Sequence, residues 1–234
     1  MREIVFDTET TGLDPFQGDR MVEIGCIELV NRFPTGRTFH CYYNPERDMP
    51  EQAFRVHGLS IDFLKDKPLF ASKVDELIDF LGDDAALVAH NAMFDLGFLN
   101  AELERAGRGG VSRERIVDTL LLARRKHPGG ANRLDDLCVR YSIDNSRRTK
   151  HGALLDAELL AEVYIELIGA RQAQLGLAQA AEPIRVAGDV IVVRERPAPL
   201  PPRITDEERA AHRRFIATLG ESAIWRDYVG VDQD

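Results

Sequence analysis

The chain is poor in cysteine. Its three, Cys26, Cys41 and Cys138, are odd in number and none lies in a CxxC pair, so neither a disulfide framework nor a zinc site is expected. They read as small buried hydrophobes. No apolar run approaches the roughly 20 residues that span a bilayer. Ahead of Glu3, where the first strand begins, there is no room for the basic and apolar regions of a secretory signal, so a cytoplasmic location is expected. Basic residues are in deficit: 30 Lys and Arg against 39 Asp and Glu leave a net charge of −9. Non-specific affinity for nucleic acid comes mainly from cations on phosphates, so this chain is not built to grip nucleic acid unaided. A nucleic-acid substrate stays open, because metal ions can neutralise acids at the centre of a site. No internal repeat is present.

What the chain does have begins at its first strand. Ile4, Val5 and Phe6 form a continuous apolar run, the pattern of a strand buried on both faces, ended by a turn at Gly12. Asp7 and Glu9 follow at once. Side chains two apart in a strand point the same way, so these carboxylates share a face where the buried strand emerges. Like charges that close either raise a carboxyl pKa or are held by a cation, and hard ions such as Mg²⁺ or Mn²⁺ take oxygen ligands. A solvated strand end carrying two acids is the bland alternative.

Further along, Met21 to Val30 and Arg37 to Asn44 read as strands joined through Asn31 to Gly36, giving an antiparallel meander. Ser72 is placed to cap a helix bearing Val74, Leu77, Ile78 and Leu81 and ending at Gly82. Ala85 to Ala89 is a buried strand leading into His90-Asn91 and a helix from about Ala92 to Ala106. Ile116-Val117 is a short strand before a helix through Leu122. Asn132 is expected to cap the next helix, and the last core helix runs from about Gly152 to Ile168. A meander followed by strand–helix units predicts one mixed α/β sheet with parallel strands on the far side, flanked by helices.

Two helical acids stand where core residues belong. Asp95 shares its stripe with Phe98, Leu99 and Leu103, and Asp156 with Leu160, Val163 and Leu167. An unpaired buried charge costs several kcal/mol, so each needs a partner. For either acid alone a structural hydrogen bond would serve; with Asp7 and Glu9 they favour a shared metal cluster. His151, five residues before Asp156, could reach such a cluster as a base of near-neutral pKa, or lie in a polar loop. Its neighbours Arg147, Arg148 and Lys150 add positive charge that suits phosphates. Arg124, Arg125, Lys126 and His127 form a second basic run that fits a solvated face equally well.

Together, Asp7-Thr8-Glu9-Thr10-Thr11-Gly12, His90-Asn91-Ala92-Met93-Phe94-Asp95 and His151-Gly152-Ala153-Leu154-Leu155-Asp156 resemble, in order and spacing, the three motifs of the DEDDh 3′–5′ exonucleases. The stretches Tyr141 to Thr149 and Ala153 to Tyr164 look like the proofreading branch that serves bacterial DNA polymerase III. The resemblance spans roughly residues 1–177 and implies a ribonuclease H-like fold with two divalent cations, Mg²⁺ or Mn²⁺. It implies that Asp7, Glu9 and Asp156 hold the metals and touch substrate, that Asp95 binds one metal directly or through water, and that His151 is the general base. Val56-His57-Gly58 resembles the segment that contacts the terminal nucleotide, which brings in His57. Where the family carries Glu five residues before that His, this chain has Gln52, with Glu51 beside it.

The expected activity is metal-dependent removal of mispaired nucleotides from a DNA 3′ end. The rivals are an exoribonuclease with the same chemistry and an exonuclease-like scaffold without catalysis. Residues 178–203, with Pro183, Pro197, Pro199, Pro201 and Pro202, read as an extended linker. In residues 204–234, Thr205 and Glu208 form a capping box, and Ile224, Trp225 and Tyr228 are apolar anchors suited to docking. By resemblance this segment is the tail that binds the DNA polymerase III catalytic subunit. Gln172, Leu175 and Leu177 look like a sliding-clamp peptide, and a small accessory subunit is a further implied partner.

Overall fold

Ile4 and Phe6 face one way across the sheet and Val5 the other, and all three are fully buried in the computed structural model of the chain. The structure describes residues 1–148, 150–170 and 204–219. These divide between a unit within Met1–Leu175 and another within Gly176–Asp234. The first unit is one five-stranded sheet: β1 (Arg2–Thr10), β2 (Met21–Val30), β3 (Phe33–Tyr42), β4 (Ala86–Ala89) and β5 (Ile116–Asp118), in the order β3-β2-β1-β4-β5. β1 to β3 are antiparallel, while β4 runs parallel to both β1 and β5. This is the mixed sheet expected from the sequence.

Helices cover both faces. On one side α3 (Phe70–Leu81) and α4 (Met93–Arg105) pack Val74, Leu77, Phe98 and Leu99 against Ile4, Phe6 and Ile24. On the other, α7 (Ala153–Leu167) packs Ala157, Leu160 and Tyr164 against Val5, Leu29 and Val88. The far side of α7 holds Leu159, Val163 and Leu167 against α5 (Thr119–Lys126) and α6 (Leu134–Tyr141), so this helix is buried nearly all round. Burying Leu159, Leu160, Val163 and Leu167 contributes about 1.5–3 kcal/mol each, more in sum than the several kcal/mol that burial of Asp156 costs. Apolar packing therefore holds that acid in place.

A single glycine sets how closely α7 approaches. Gly25 lies opposite Asp7 in the β1–β2 ladder, and a Cβ there would fall 2.3 Å from Leu154 Cα and 2.3 Å from Leu154 N. Only a bare backbone lets the first turn of α7 cross β2 beside the acids.

Boundaries differ from the expected ones in five places. The β2–β3 turn is not Asn31 to Gly36 but the pair Asn31-Arg32, with φ 51 and 72, the double left-handed geometry that matches hairpin twist. β3 starts at Phe33 because it is an edge strand, where Pro34 is tolerated. α3 begins two residues before Ser72, whose hydroxyl donates to the Leu69 carbonyl (2.8 Å) instead of capping. Asn132 does not cap α6: its side chain donates to Gly130 O (2.9 Å) and Arg133 is the cap residue. α5 runs on to Lys126, four residues past Leu122. Two short helices, α1 (Glu51–His57) and α2 (Ile61–Leu64), fill a stretch without strong periodicity. In the second unit α8 (Asp206–Thr218) carries the expected reciprocal cap: Thr205 Oγ1 accepts from Glu208 N, and Glu208 accepts from Thr205 N (2.8 Å). All three cysteines are free, and Cys26 and Cys138 are buried. No helix among the described residues is long and apolar enough to cross a membrane.

Gly25→Ala should force α7 off the sheet, with the cost of about 1–3 kcal/mol typical of overpacking and a melting temperature lower by several degrees. Thermal denaturation with the nuclease assay alongside measures both. An unchanged melting point would show that α7 shifts freely at this crossing.

Candidate active site

Three elements deliver carboxylates to one end of the sheet. Asp7 and Glu9 leave the carboxyl end of β1 opposite Gly25 and Glu23, on the α7 side. The first turn of α7 carries Asp156 across β2 to the same place. Asp95 comes from α4, entered through Asn91 in a left-handed conformation (φ 64) that asparagine accepts more readily than most residues. Its Oδ1 accepts from the Thr8 amide (3.1 Å) and the Thr8 hydroxyl (2.7 Å), which fixes α4 to β1 at the site. His151 lies just before α7, its backbone N–H donating to Val56 O (3.3 Å). One ligand atom from each of Glu9, His151 and Asp156 falls within 4.8 Å of the others.

Two cavities meet over these residues. The first, about 610 Å³, is lined by Asp7, Glu9 and Asp95 together with Gln52, His57 and Phe94. His57 is buried, its Nδ1 accepts from Leu59 N (3.0 Å), and its Nε2 is left outside any hydrogen bond. Burial pushes its pKa down, so the ring is neutral near pH 7. The second cavity, about 760 Å³, is lined by Asp7, His151 and Asp156 with Asn91, Arg124 and Arg133. Of the second basic run, Arg124 thus faces the site.

Charge compensation separates these acids from the other buried ones. Glu3 pairs with Arg32 (2.8 Å) and accepts from Tyr164 OH (2.7 Å); Glu28 pairs with Arg2 (2.7 Å); Glu102 is held by Arg20 (2.7 Å) and Arg105 (3.0 Å). Asp7 and Glu9 form no ion pair among the described residues. Burial, with Asp95, Glu9 and Asp156 beside it, raises the Asp7 carboxyl well above its ordinary range. Burial and the Asp156 charge push Glu9 up to about 8. Asp95 is raised by burial to about 7 even though the Thr8 hydrogen bonds pull the other way. Several carboxylates crowded together, short of cations and beside a ring nitrogen, form a donor set that suits hard divalent ions.

The exonuclease family model matches residues 4–164. The DNA polymerase III subunit epsilon of Rickettsia felis is 47% identical over 227 residues, covering 95% of this chain and 99% of that one. That of Escherichia coli K12 is 42% identical over 238 residues, covering 96% and 97%. The chain belongs to the exonuclease family of DNA polymerase III epsilon subunits. Solved structures agree with this epsilon-type exonuclease in fold. They include the nuclease domain of 3′hExo, a DEDDh family member bound to rAMP (TM-score 0.62, 17% identity, 72% of this chain and 92% of that one). Exonuclease X in complex with 5′ overhanging duplex DNA is another (TM-score 0.53, 24% identity, 71% and 91%). The ribonuclease H-like expectation stands, and exonucleases of this family depend on divalent metal.

The structure brings Asp7, Glu9, Asp95, His151, Asp156, His57 and Gln52 of the epsilon-type exonuclease around adjoining cavities. Gln172, Leu175 and Leu177 lie outside the described residues, as do the linker and Ile224, Trp225 and Tyr228. Gly25, Thr8 and the pairing of Arg148 with Asp156 (2.6 Å) escaped the sequence reading. None belongs to a periodic pattern; a glycine inside an otherwise apolar strand was the one available signal, since it marks a close backbone approach.

A carboxyl with a raised folded pKa holds its proton more tightly in the folded than in the unfolded state. Glu9 therefore costs little stability at its unfolded value of 4.5 and increasingly more as pH climbs towards about 8. The metal-free chain should lose thermal stability across that window. Glu9→Gln should melt above wild type at pH 8 and close to it at pH 5, and saturating Mg²⁺ should remove the difference in trend. A gap that stays constant with pH would mean that Glu9 is compensated in some other way.

Proposed function

We propose that the chain is the proofreading 3′–5′ exonuclease subunit of a bacterial replicative DNA polymerase, releasing nucleotides from mispaired DNA 3′ ends. The observation that carries this reading is the convergence of Asp7, Glu9, Asp95 and Asp156 with fewer cations than acids, in a chain sharing 47% identity with a DNA polymerase III epsilon subunit. In this reading Asp7, Glu9 and Asp156 hold two divalent ions, and Asp95 binds one directly or through water. When bound, such a pair activates water and stabilises the leaving 3′ oxygen; Mg²⁺ and Mn²⁺ both suit an oxygen-rich set.

The chain's own residues do the rest. His151, half-exposed and with its pKa lowered first by burial and then by Arg148, is neutral near pH 7 and accepts a proton from the attacking water. The smaller cavity receives the terminal nucleotide, where the free Nε2 of His57 and the side chain of Gln52 are available to it. A mispaired end reaches that cavity more readily than a paired one because it has less unstacking to overcome. Arg124 and Arg133 beside the second cavity give the phosphates a local cationic surface despite the net charge of −9.

Relatives named as DNA polymerase III subunits support a role in that assembly. Residues 204–234 tether it to the polymerase catalytic subunit through the 178–203 linker, and Gln172, Leu175 and Leu177 contact the sliding clamp. A small accessory subunit is a further partner. A tether raises effective concentration at the primer end, so weak intrinsic DNA affinity is no handicap.

Asp7→Ala should abolish nucleotide release while the protein stays folded. His151→Ala should lose about 10²–10⁴-fold in turnover yet still bind Mn²⁺, and the wild-type rate should fall in acid, below the ordinary histidine value of 6.5. Release from mismatched DNA, paired DNA and RNA, measured with and without Mn²⁺, tests substrate and metal together. Preference for RNA would favour the exoribonuclease reading, and full activity of Asp7→Ala would sink the metal assignment. Deleting residues 178–234 should leave hydrolysis of short single strands intact and end co-elution with the catalytic subunit.

A further inference from the structure

One cation does reach the acid cluster, and it belongs to the chain. Arg148 grips both oxygens of Asp156, Nε on Oδ1 at 2.6 Å and the second terminal nitrogen on Oδ2 at 2.7 Å. The same nitrogen donates to His151 Nδ1 (2.9 Å), and the other terminal nitrogen donates to Asp135 Oδ2 (2.6 Å). The Arg148 side chain is only 7% exposed, and so is shielded like a core residue, whereas Asp135 is 55% exposed on α6. The guanidinium therefore engages two of the three groups whose ligand atoms converge within 4.8 Å, namely Asp156 and His151.

We propose that Arg148 is an internal counter-cation that stands in the place of a divalent ion and is displaced when one binds, its guanidinium swinging to Asp135. This rests on the reading of Asp156 as a metal ligand. Both Asp156 oxygens and His151 Nδ1 are already engaged by N–H donors that point where a cation would sit, and two cations do not share that space. One guanidinium pairs with one of the four carboxylates and its charge only partly offsets Asp7 and Glu9, which both stay raised, so it steadies the metal-free fold without saturating the cluster. Asp135, near the surface at the mouth of the larger cavity, already holds one arm of the guanidinium and can retain it after release. Displacement also frees His151 Nδ1, so the base leaves its resting hydrogen bond only when the cation arrives.

The competition sets the expected results in the full-length chain. Arg148→Met removes the competitor and should tighten Mn²⁺ binding by about tenfold or more in calorimetry, the range of a lost charged hydrogen bond, while lowering the melting temperature of the metal-free protein. In wild type, the Arg148 Nε–H NMR signal should be protected from solvent exchange without metal and lose that protection as Mg²⁺ is added. Asp156→Asn serves as the control for the metal site. If it loses Mn²⁺ binding while Arg148→Met binds no tighter than wild type, displacement is overturned and the metal assignment stands. If Asp156→Asn binds Mn²⁺ as well as wild type, both fall. Should Arg148→Met fail to fold, an Nε–H signal that stays protected through metal saturation overturns the proposal on wild type alone.

Discussion

Four carboxylates gathered at one end of a sheet repel each other, and the rest of the molecule is arranged around keeping them there. Each is brought by an element whose own packing is strongly favourable: Asp7 and Glu9 by a strand buried on both faces, Asp95 by α4, Asp156 by α7. Burial first and mutual repulsion second raise the pKa values of Asp7 and Glu9, and burial raises that of Asp95. In water such a cluster would disperse. Here hydrophobic burial holds it together, so the affinity for divalent cations is stored as electrostatic strain in the folded chain.

The contrast with Glu3, Glu28 and Glu102 shows how the same residue type serves two ends. Those three are as buried as the site acids, yet each lies against arginine and locks one part of the fold to another. Arg20 and Arg105 fix Glu102 of α4, and Arg32 with Tyr164 fixes Glu3 of β1. A paired buried acid is structural, and an unpaired one beside others is poised for a ligand. Asp156 stands between the two classes, since it is paired with an arginine yet sits among the site acids beside Glu9 and His151.

Proofreading asks for a nuclease that acts rarely on correct ends and quickly on frayed ones. A chain of net charge −9 with a confined basic surface near Arg124 and Arg133 fits that demand. In the proposed reading, weak binding to bulk DNA would leave selection to the ease of unstacking the terminal nucleotide, and placement near the primer end to partner proteins.

The sequence by itself determined the fold class, the three acidic motifs and the helix start at Thr205, because these depend on local periodicity, capping chemistry and spacing. It placed Asp95 and Asp156 on apolar stripes and so marked them as acids in need of partners. It could not say which partner each would find. That Gly25 admits α7, that Thr8 holds Asp95, and that Arg148 closes on Asp156 are contacts between residues as far as 129 positions apart in the chain. The two-residue turn at Asn31-Arg32 and the short helices α1 and α2 were likewise beyond reach, since strand pairing and packing overrode weak local preferences there. Pattern fixes what each segment wants to bury, but only the assembled sheet and helices decide which charges meet.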